Sequence, residues 1–144
     1  MALTFVQKKN VLDLVPNLSA VAKDRCWISH YDTDTDTMIV RVPRFSRGTE
    51  KRYANEEFAF FFNKKSEIEG VFIEYFLSNF MKHNASVKDM NAELKKEIKD
   101  EKSENSSIVS LESRETKKLI SGLECALVNS FVPNLPIKDK ARQD

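Results

Sequence analysis

Glycine and cysteine are both scarce in this sequence, and each shortage excludes a class of site. Three glycines among 144 residues argue against a phosphate-cradling loop, which needs several positive backbone angles. The only cysteines, Cys26 and Cys125, are far apart, so they form neither a disulfide framework nor a metal-ligand spacing. No apolar run approaches the roughly 20 residues that a membrane helix needs. We therefore expect no nucleotide loop, no zinc motif and no membrane span.

Charge of either sign is not in excess. The chain has 23 basic and 22 acidic side chains and a formal net charge of +1, so no global charge attracts it to nucleic acid or to membranes. The amino-terminal residues lack the basic-then-apolar order of a secretory signal. A cytoplasmic protein with reduced thiols is the expectation, and the length predicts one domain with an appendage.

The middle of the chain predicts an antiparallel sheet. Aromatic and β-branched residues are concentrated in segments 27–31, 38–42, 56–62 and 68–73, and this composition is typical of strands. Polar turns separate them, and residues 44–55 read as a loop. The predicted fold is α+β, with an antiparallel β-meander of about four strands packed by helices.

Helical periodicity surrounds this sheet. Apolar residues recur at spacings of three and four in segments 18–25, 86–104 and 113–131, which predicts amphipathic helices. Residues 74–82 are also predicted to be helical. The sequence becomes strongly charged after residue 84, so we predict an α+β core domain over 1–83 and a charged helical extension over 84–144. A polar linker is expected near 103–112.

The first predicted binding surface is the apolar stripe of the charged helix. Its members follow one another at helical spacing and are Val87, Met90, Leu94 and Ile98. Such a thin stripe is typical of a helix packed along one seam. We therefore expect a non-enzymatic protein–protein interaction or regulatory module, acting as a homo-oligomer or with a protein partner.

The second predicted surface is a basic loop. Five positive side chains surround the single Glu50, and they are Arg41, Arg44, Arg47, Lys51 and Arg52. Phe45 and Tyr53 interleave with them, a combination that suits phosphate contact and base stacking. The alternative hypothesis is therefore nucleic-acid binding through residues 41–53. Two simpler interpretations stay open, namely a solvated loop or pairing with the nearby acidic turn.

No group of residues predicts catalysis or metal binding. Asp32, Asp34 and Asp36 resemble a calcium loop at first, but Thr37 and Pro43 occupy the positions where that loop needs Gly and Glu. No pair has metal-ligand spacing among the remaining nucleophile and ligand candidates, which are His30, His83, Cys26 and Cys125. The expectation is a protein that is not an enzyme, with no cofactor, no metal and no small-molecule substrate.

Residues 27–80 resemble a small bacterial β-meander family of unknown function. Its members open with Tyr-Asp, a second Asp and an apolar strand, and close with an apolar-x-Gly-apolar-x-apolar-Glu segment. Here these elements are Tyr31-Asp32, Asp36, Met38-Ile39-Val40 and the segment 68–74. The family has no established catalytic residues, so none carry over. Some members are suspected antitoxin-like partners of small toxins, so the resemblance implies protein binding.

Overall fold

The computed structural model describes residues 3–88, 90–101 and 107–131, with the side chains at 91, 93, 98, 100 and 101 outside this description. The strands are Ile28–Asp32 (β1), Thr37–Arg41 (β2), Glu50–Tyr53 (β3), Phe58–Phe62 (β4), Ile68–Ile73 (β5) and Ile108–Ser110 (β6). The helices are Phe5–Leu14 (α1), Leu18–Asp24 (α2), Met81–His83 (α3), Ala85–Lys88 (α4), Asn91–Glu101 (α5) and Ser113–Phe131 (α6). A 3₁₀ turn at Val15–Asn17 and a π-helical turn at Phe76–Phe80 complete the elements.

The six strands form one antiparallel sheet in the order β3-β4-β5-β2-β1-β6. The α+β class and the antiparallel sheet are thus confirmed, whereas the prediction of about four strands is wrong. A continuous meander is also wrong, because β2 pairs with β5 and not with β3. Only β3, β4 and β5 follow one another as a meander.

The two strands missed by sequence lie at the edges of the sheet. β3 falls inside the segment predicted as a loop, and β6 falls inside the predicted linker. An edge strand has one neighbour and exposes many side chains, so its composition can be as polar as that of a loop. β3 is charged and mostly exposed, and β6 is only three residues long.

The helical predictions fare unevenly. α6 begins and ends where the stripe predicts, and α2 ends one residue before the predicted bound. The single helix predicted over 86–104 is instead the pair α4 and α5. α1 was not predicted, although Thr4 and Gln7 carry the capping-box pattern that starts it: the Thr4 hydroxyl accepts from the Gln7 N–H, and the Gln7 side chain accepts from the Thr4 N–H.

One face of the sheet and the helices enclose a single hydrophobic core. Fully buried side chains on this face include Val40, Phe60 and Val71, and α6 contributes Leu119 and Leu123 to the same cluster. The buried apolar residues of the other described helices also belong to this cluster. The division at residue 84 stays a prediction, and both parts of the chain contribute to this core.

Gly122 marks the closest approach of α6 to α4. A Cβ atom there would lie 2.5 Å from the carbonyl oxygen of Ser86 and 2.6 Å from Val87 Cγ1. Alanine normally stabilises a helix relative to glycine by about 0.5–1 kcal/mol. At this position we expect Gly122→Ala to destabilise the protein by about 1–3 kcal/mol, because the two helices must separate. Urea unfolding midpoints measure the effect.

The exposed neighbour in α6 provides the control. Ser121→Ala introduces alanine at an exposed position of the same helix without adding a Cβ atom against α4, so its midpoint should stay unchanged or rise slightly. A Gly122→Ala protein as stable as the wild type would contradict the α4–α6 packing described here.

Candidate functional site

The second face of the sheet carries the most distinctive surface of the described chain. Strand register places its side chains in two rows that cross the sheet. The first row is His30, Ile39, Phe72, Ala59 and Tyr53, and the second is Ile28, Arg41, Gly70, Phe61 and Lys51. We call the surface formed by these two rows the open face.

The open face combines apolar groups with solvent contact. Tyr53 is 39% exposed and Ile28 is 41% exposed, while Phe61 and Phe72 are half-buried. None of its residues belongs to the buried core cluster to which the described helices contribute. A sheet face that meets water is usually polar, so this row of rings requires an explanation.

Four aromatic rings follow one another along the open face. The ring centroids of Phe45 and Phe61 are 4.8 Å apart, those of Phe61 and Phe72 are 6.3 Å apart, and those of Phe72 and Tyr53 are 6.3 Å apart. These separations are typical of favourable ring pairs. Gly70 makes room for them, because a Cβ there would lie 2.7 Å from Arg41 Cβ and 3.1 Å from a Phe61 ring carbon.

Two cations lie on these rings. The Lys51 ammonium nitrogen is 3.8 Å from the Phe72 ring centroid and 5.2 Å from that of Tyr53. The Arg41 guanidinium carbon is 4.8 Å from the Phe45 centroid. Cation–π attraction therefore holds positive charge directly on the aromatic surface.

The buried carboxylate of Glu69 fixes the loop that supplies Phe45. Glu69 is 5% exposed and accepts hydrogen bonds from the N–H and hydroxyl of Ser46, the hydroxyl of Thr49 and the amide of Asn63. Burial raises the pKa of Glu69, but the bonds from Ser46, Asn63 and Thr49 outweigh it and lower the pKa below its ordinary value. The loop of residues 42–49 is thus anchored at its centre.

The opposite end of the open face is acidic. The Tyr53 hydroxyl donates to Glu74 at 2.6 Å, and burial together with this bond raises the pKa of Tyr53 to about 12. Asp32, which neighbours β6, accepts from the backbone N–H of Asp34. The surface therefore changes from basic at the Phe45 end to acidic at the Glu74 end.

The acidic turn is tied to its own surroundings. Asp36 has a positive backbone angle, φ 56°, and its carboxylate accepts from the Tyr31 hydroxyl and from Leu77 and Ser78. It thereby caps the π-helical turn. Across the described residues no cluster of three or more His, Cys, Asp or Glu is placed to hold a metal ion. Nor does any ion pair join the basic loop to this turn within the described ranges.

The structure separates the predicted basic residues into three places. Arg41 and Lys51 lie on the open face, and Arg44 and Arg47 are exposed in the loop that borders it. Arg52 points to the other side of β3, where it pairs with Glu50 at 3.1 Å. The sequence favours core positions for Phe61 and Phe72, and it leaves open whether a helix or a partner covers the second face of the strand. The run Phe60-Phe61-Phe62 contained the signal, because a strand must place these rings on both faces.

The predicted helical seam lies inside the chain. Val87, Met90 and Leu94 are all buried in the core, and the side chain of Ile98 is outside the described residues. A partner would therefore reach these side chains only if α4 and α5 left the core.

The candidate nucleophiles and ligands are dispersed. His30 accepts a hydrogen bond from Arg41, and burial, followed by the charge of Arg41, lowers its pKa. His83 pairs with Glu57 at 2.7 Å. Cys26 and Cys125 are free and exposed.

Comparison with known proteins identifies no relative. No family model matches the chain, and neither a curated protein nor a solved structure matches it. The resemblance to the bacterial β-meander family therefore stays a prediction. Within the described residues, no helix is both long and apolar enough to span a bilayer.

Removing the charge of Glu69 tests how the basic loop is held. We expect Glu69→Gln to destabilise the protein by about 1–3 kcal/mol at neutral pH. The glutamine amide replaces one carboxylate oxygen, an acceptor, with an NH₂ group, a donor, and this group would face the hydrogen-bond donors that now bind Glu69. Glu67→Gln is the control, since Glu67 is exposed and accepts only from Asn63. Urea unfolding compares both variants with the wild type.

The pH dependence of the unfolding free energy gives a second test of the role of Glu69. The folded-state pKa of Glu69 is depressed below its ordinary value of 4.5, so ionised Glu69 stabilises the fold above that pH. This stabilisation is lost as the pH falls through the folded-state pKa. The gap between wild type and Glu69→Gln should therefore shrink in acid, and a gap that grows in acid would contradict the role of the carboxylate.

Proposed function

We propose that this chain is a non-enzymatic binding module that holds single-stranded nucleic acid on its open face. The observation that carries the proposal is the placement of Lys51 and Arg41 on a continuous row of rings that the described helices leave uncovered. Proteins that bind single strands combine these two elements: rings stack on bases, and cations track the phosphates.

The charge distribution supports an anionic ligand at one end. Arg41 and the exposed loop residues Arg44 and Arg47 surround the Phe45 end, where the carboxylate of Glu69 is buried and hydrogen-bonded. Lys51 adds a positive charge farther along the row, over Phe72. Asp32 and Glu74 make the other end unfavourable for phosphates. The strand would therefore contact only the basic part, so the binding site is short.

The chemistry of this surface also predicts its specificity. Rings stack on any base, whereas sequence is read by hydrogen bonds to base edges. The Tyr53 hydroxyl is already engaged by Glu74. We therefore expect little sequence preference and a strong dependence of affinity on salt.

The test is fluorescence anisotropy with labelled oligo-dT and oligo-U at low and high salt. Phe45→Ala, which removes the ring at the basic end, should weaken binding roughly tenfold, the loss of one stacked base. Lys51→Gln should weaken binding and reduce the salt dependence, because one phosphate contact is lost.

Arg52→Gln is the matched control. It removes the same charge from the same strand, but from the side that faces away from the rings, so binding should be preserved. No binding at low salt, or an Arg52→Gln defect as large as that of Lys51→Gln, would contradict the proposal.

A second candidate is protein binding through the same sheet, with a second copy of this chain as the partner. The β1–β6 side of the open face exposes Ile28 and Ile108, each 41% accessible.

Sedimentation velocity over a wide concentration range tests this second candidate. We expect a dimer that dissociates in the double variant Ile28→Glu/Ile108→Glu, because like charges would meet in the desolvated contact. Leu12→Glu is a matched control, since Leu12 is an exposed apolar residue on α1. A wild-type protein that stays monomeric throughout would rule out self-association.

A further inference from the structure

A cleft on the helical side of the molecule has a composition that the open face does not explain. It has a volume of about 650 Å³ and lies between α2, the start of β1 and α6. Its apolar lining includes Ala22, Trp27, Leu111 and Ile120, and its polar lining includes Lys23, Ser113 and Lys117. Ligand pockets are usually apolar clefts of this size with a few polar groups.

Trp27 provides the first indication of a ligand. The residue is only 5% exposed, and its indole N–H has no hydrogen-bond acceptor among the described residues. Buried donors are nearly always paired in native proteins, so an unpaired one requires an explanation. An acceptor group of a molecule bound in the cleft would supply it.

The charges of the cleft indicate the sign of that molecule. Lys23 and Lys117 are exposed at its rim, and its described lining contains no carboxylate.

We infer that this cleft binds a small amphiphilic carboxylate, with its apolar body against Ala22 and Ile120 and its carboxylate between the Trp27 indole N–H and the ammonium groups of Lys23 and Lys117. The apolar lining accounts for the body, and the two ammonium groups account for the head. This inference does not depend on the proposed function, because the cleft and the open face share only the edge residue Ile28.

Trp27 makes the test direct, since it is the only tryptophan in the chain. Octanoate is the probe, and octanamide and octylammonium are the neutral and cationic controls of equal length. We expect octanoate to change the tryptophan fluorescence in a saturable way, and the two controls to bind at least roughly tenfold more weakly. Equilibrium dialysis of labelled octanoate measures the same binding independently.

Variants of exposed residues locate the site without threatening the fold. Lys117→Gln should weaken octanoate binding roughly tenfold, and Ser121→Phe should block the cleft. Lys82→Gln is the matched control, because it removes an exposed lysine that does not line the cleft.

Three outcomes would overturn the inference. These are the absence of octanoate binding in dialysis, equal binding of the three probes, and binding that Lys117→Gln and Ser121→Phe leave unchanged.

Discussion

Side-chain alternation along β4 is the constraint on which both surfaces of this protein depend. Successive residues of a strand point to opposite faces, so Phe60 enters the core and Phe61 reaches the open face. β5 repeats the division with Val71 and Phe72. A shift of one residue in the β4–β5 register would bring Phe61 into the core and expose Phe60. The core and the candidate binding surface are therefore two consequences of one pairing.

The loop that completes the open face depends on a different interaction. The carboxylate of Glu69 accepts hydrogen bonds from Ser46 and Thr49, which follow β2 in the loop, and from Asn63 in the β4–β5 turn. A buried carboxylate is tolerated only when its lone pairs are satisfied in this way. The same loop carries Phe45, whose ring lies against Phe61 and under the Arg41 guanidinium. A polar contact in the interior thus anchors the loop that carries an aromatic ring of the candidate site.

Local sequence patterns predicted the elements that are long and periodic. α6 shows a strong stripe, and the β4–β5 hairpin combines apolar strands with a polar turn. The edge strands β3 and β6 could not be found in this way, because β3 is charged and mostly exposed and β6 has only three residues. Pairing with another strand defines both of them. For the same reason, only part of the candidate site could be predicted from the sequence. The charge pattern identified Arg41 and Lys51 as candidates. Only the pairing of β3 with β4 shows that Lys51 points to the open face and Arg52 to the opposite face.

The sequence by itself determined the α+β class, the apolar segments available for a core and a cluster of positive charge near residues 41–53, because composition and periodicity are local properties. The tertiary structure decided which of those groups meet. It buried the stripe of Val87, Met90 and Leu94 in the core of the chain. It left Phe72 and Tyr53 on a face of the sheet that the described helices do not cover. The sequence pattern of apolar residues is the same whether the chain itself or a partner covers them. Only the packing of distant segments distinguishes these two cases.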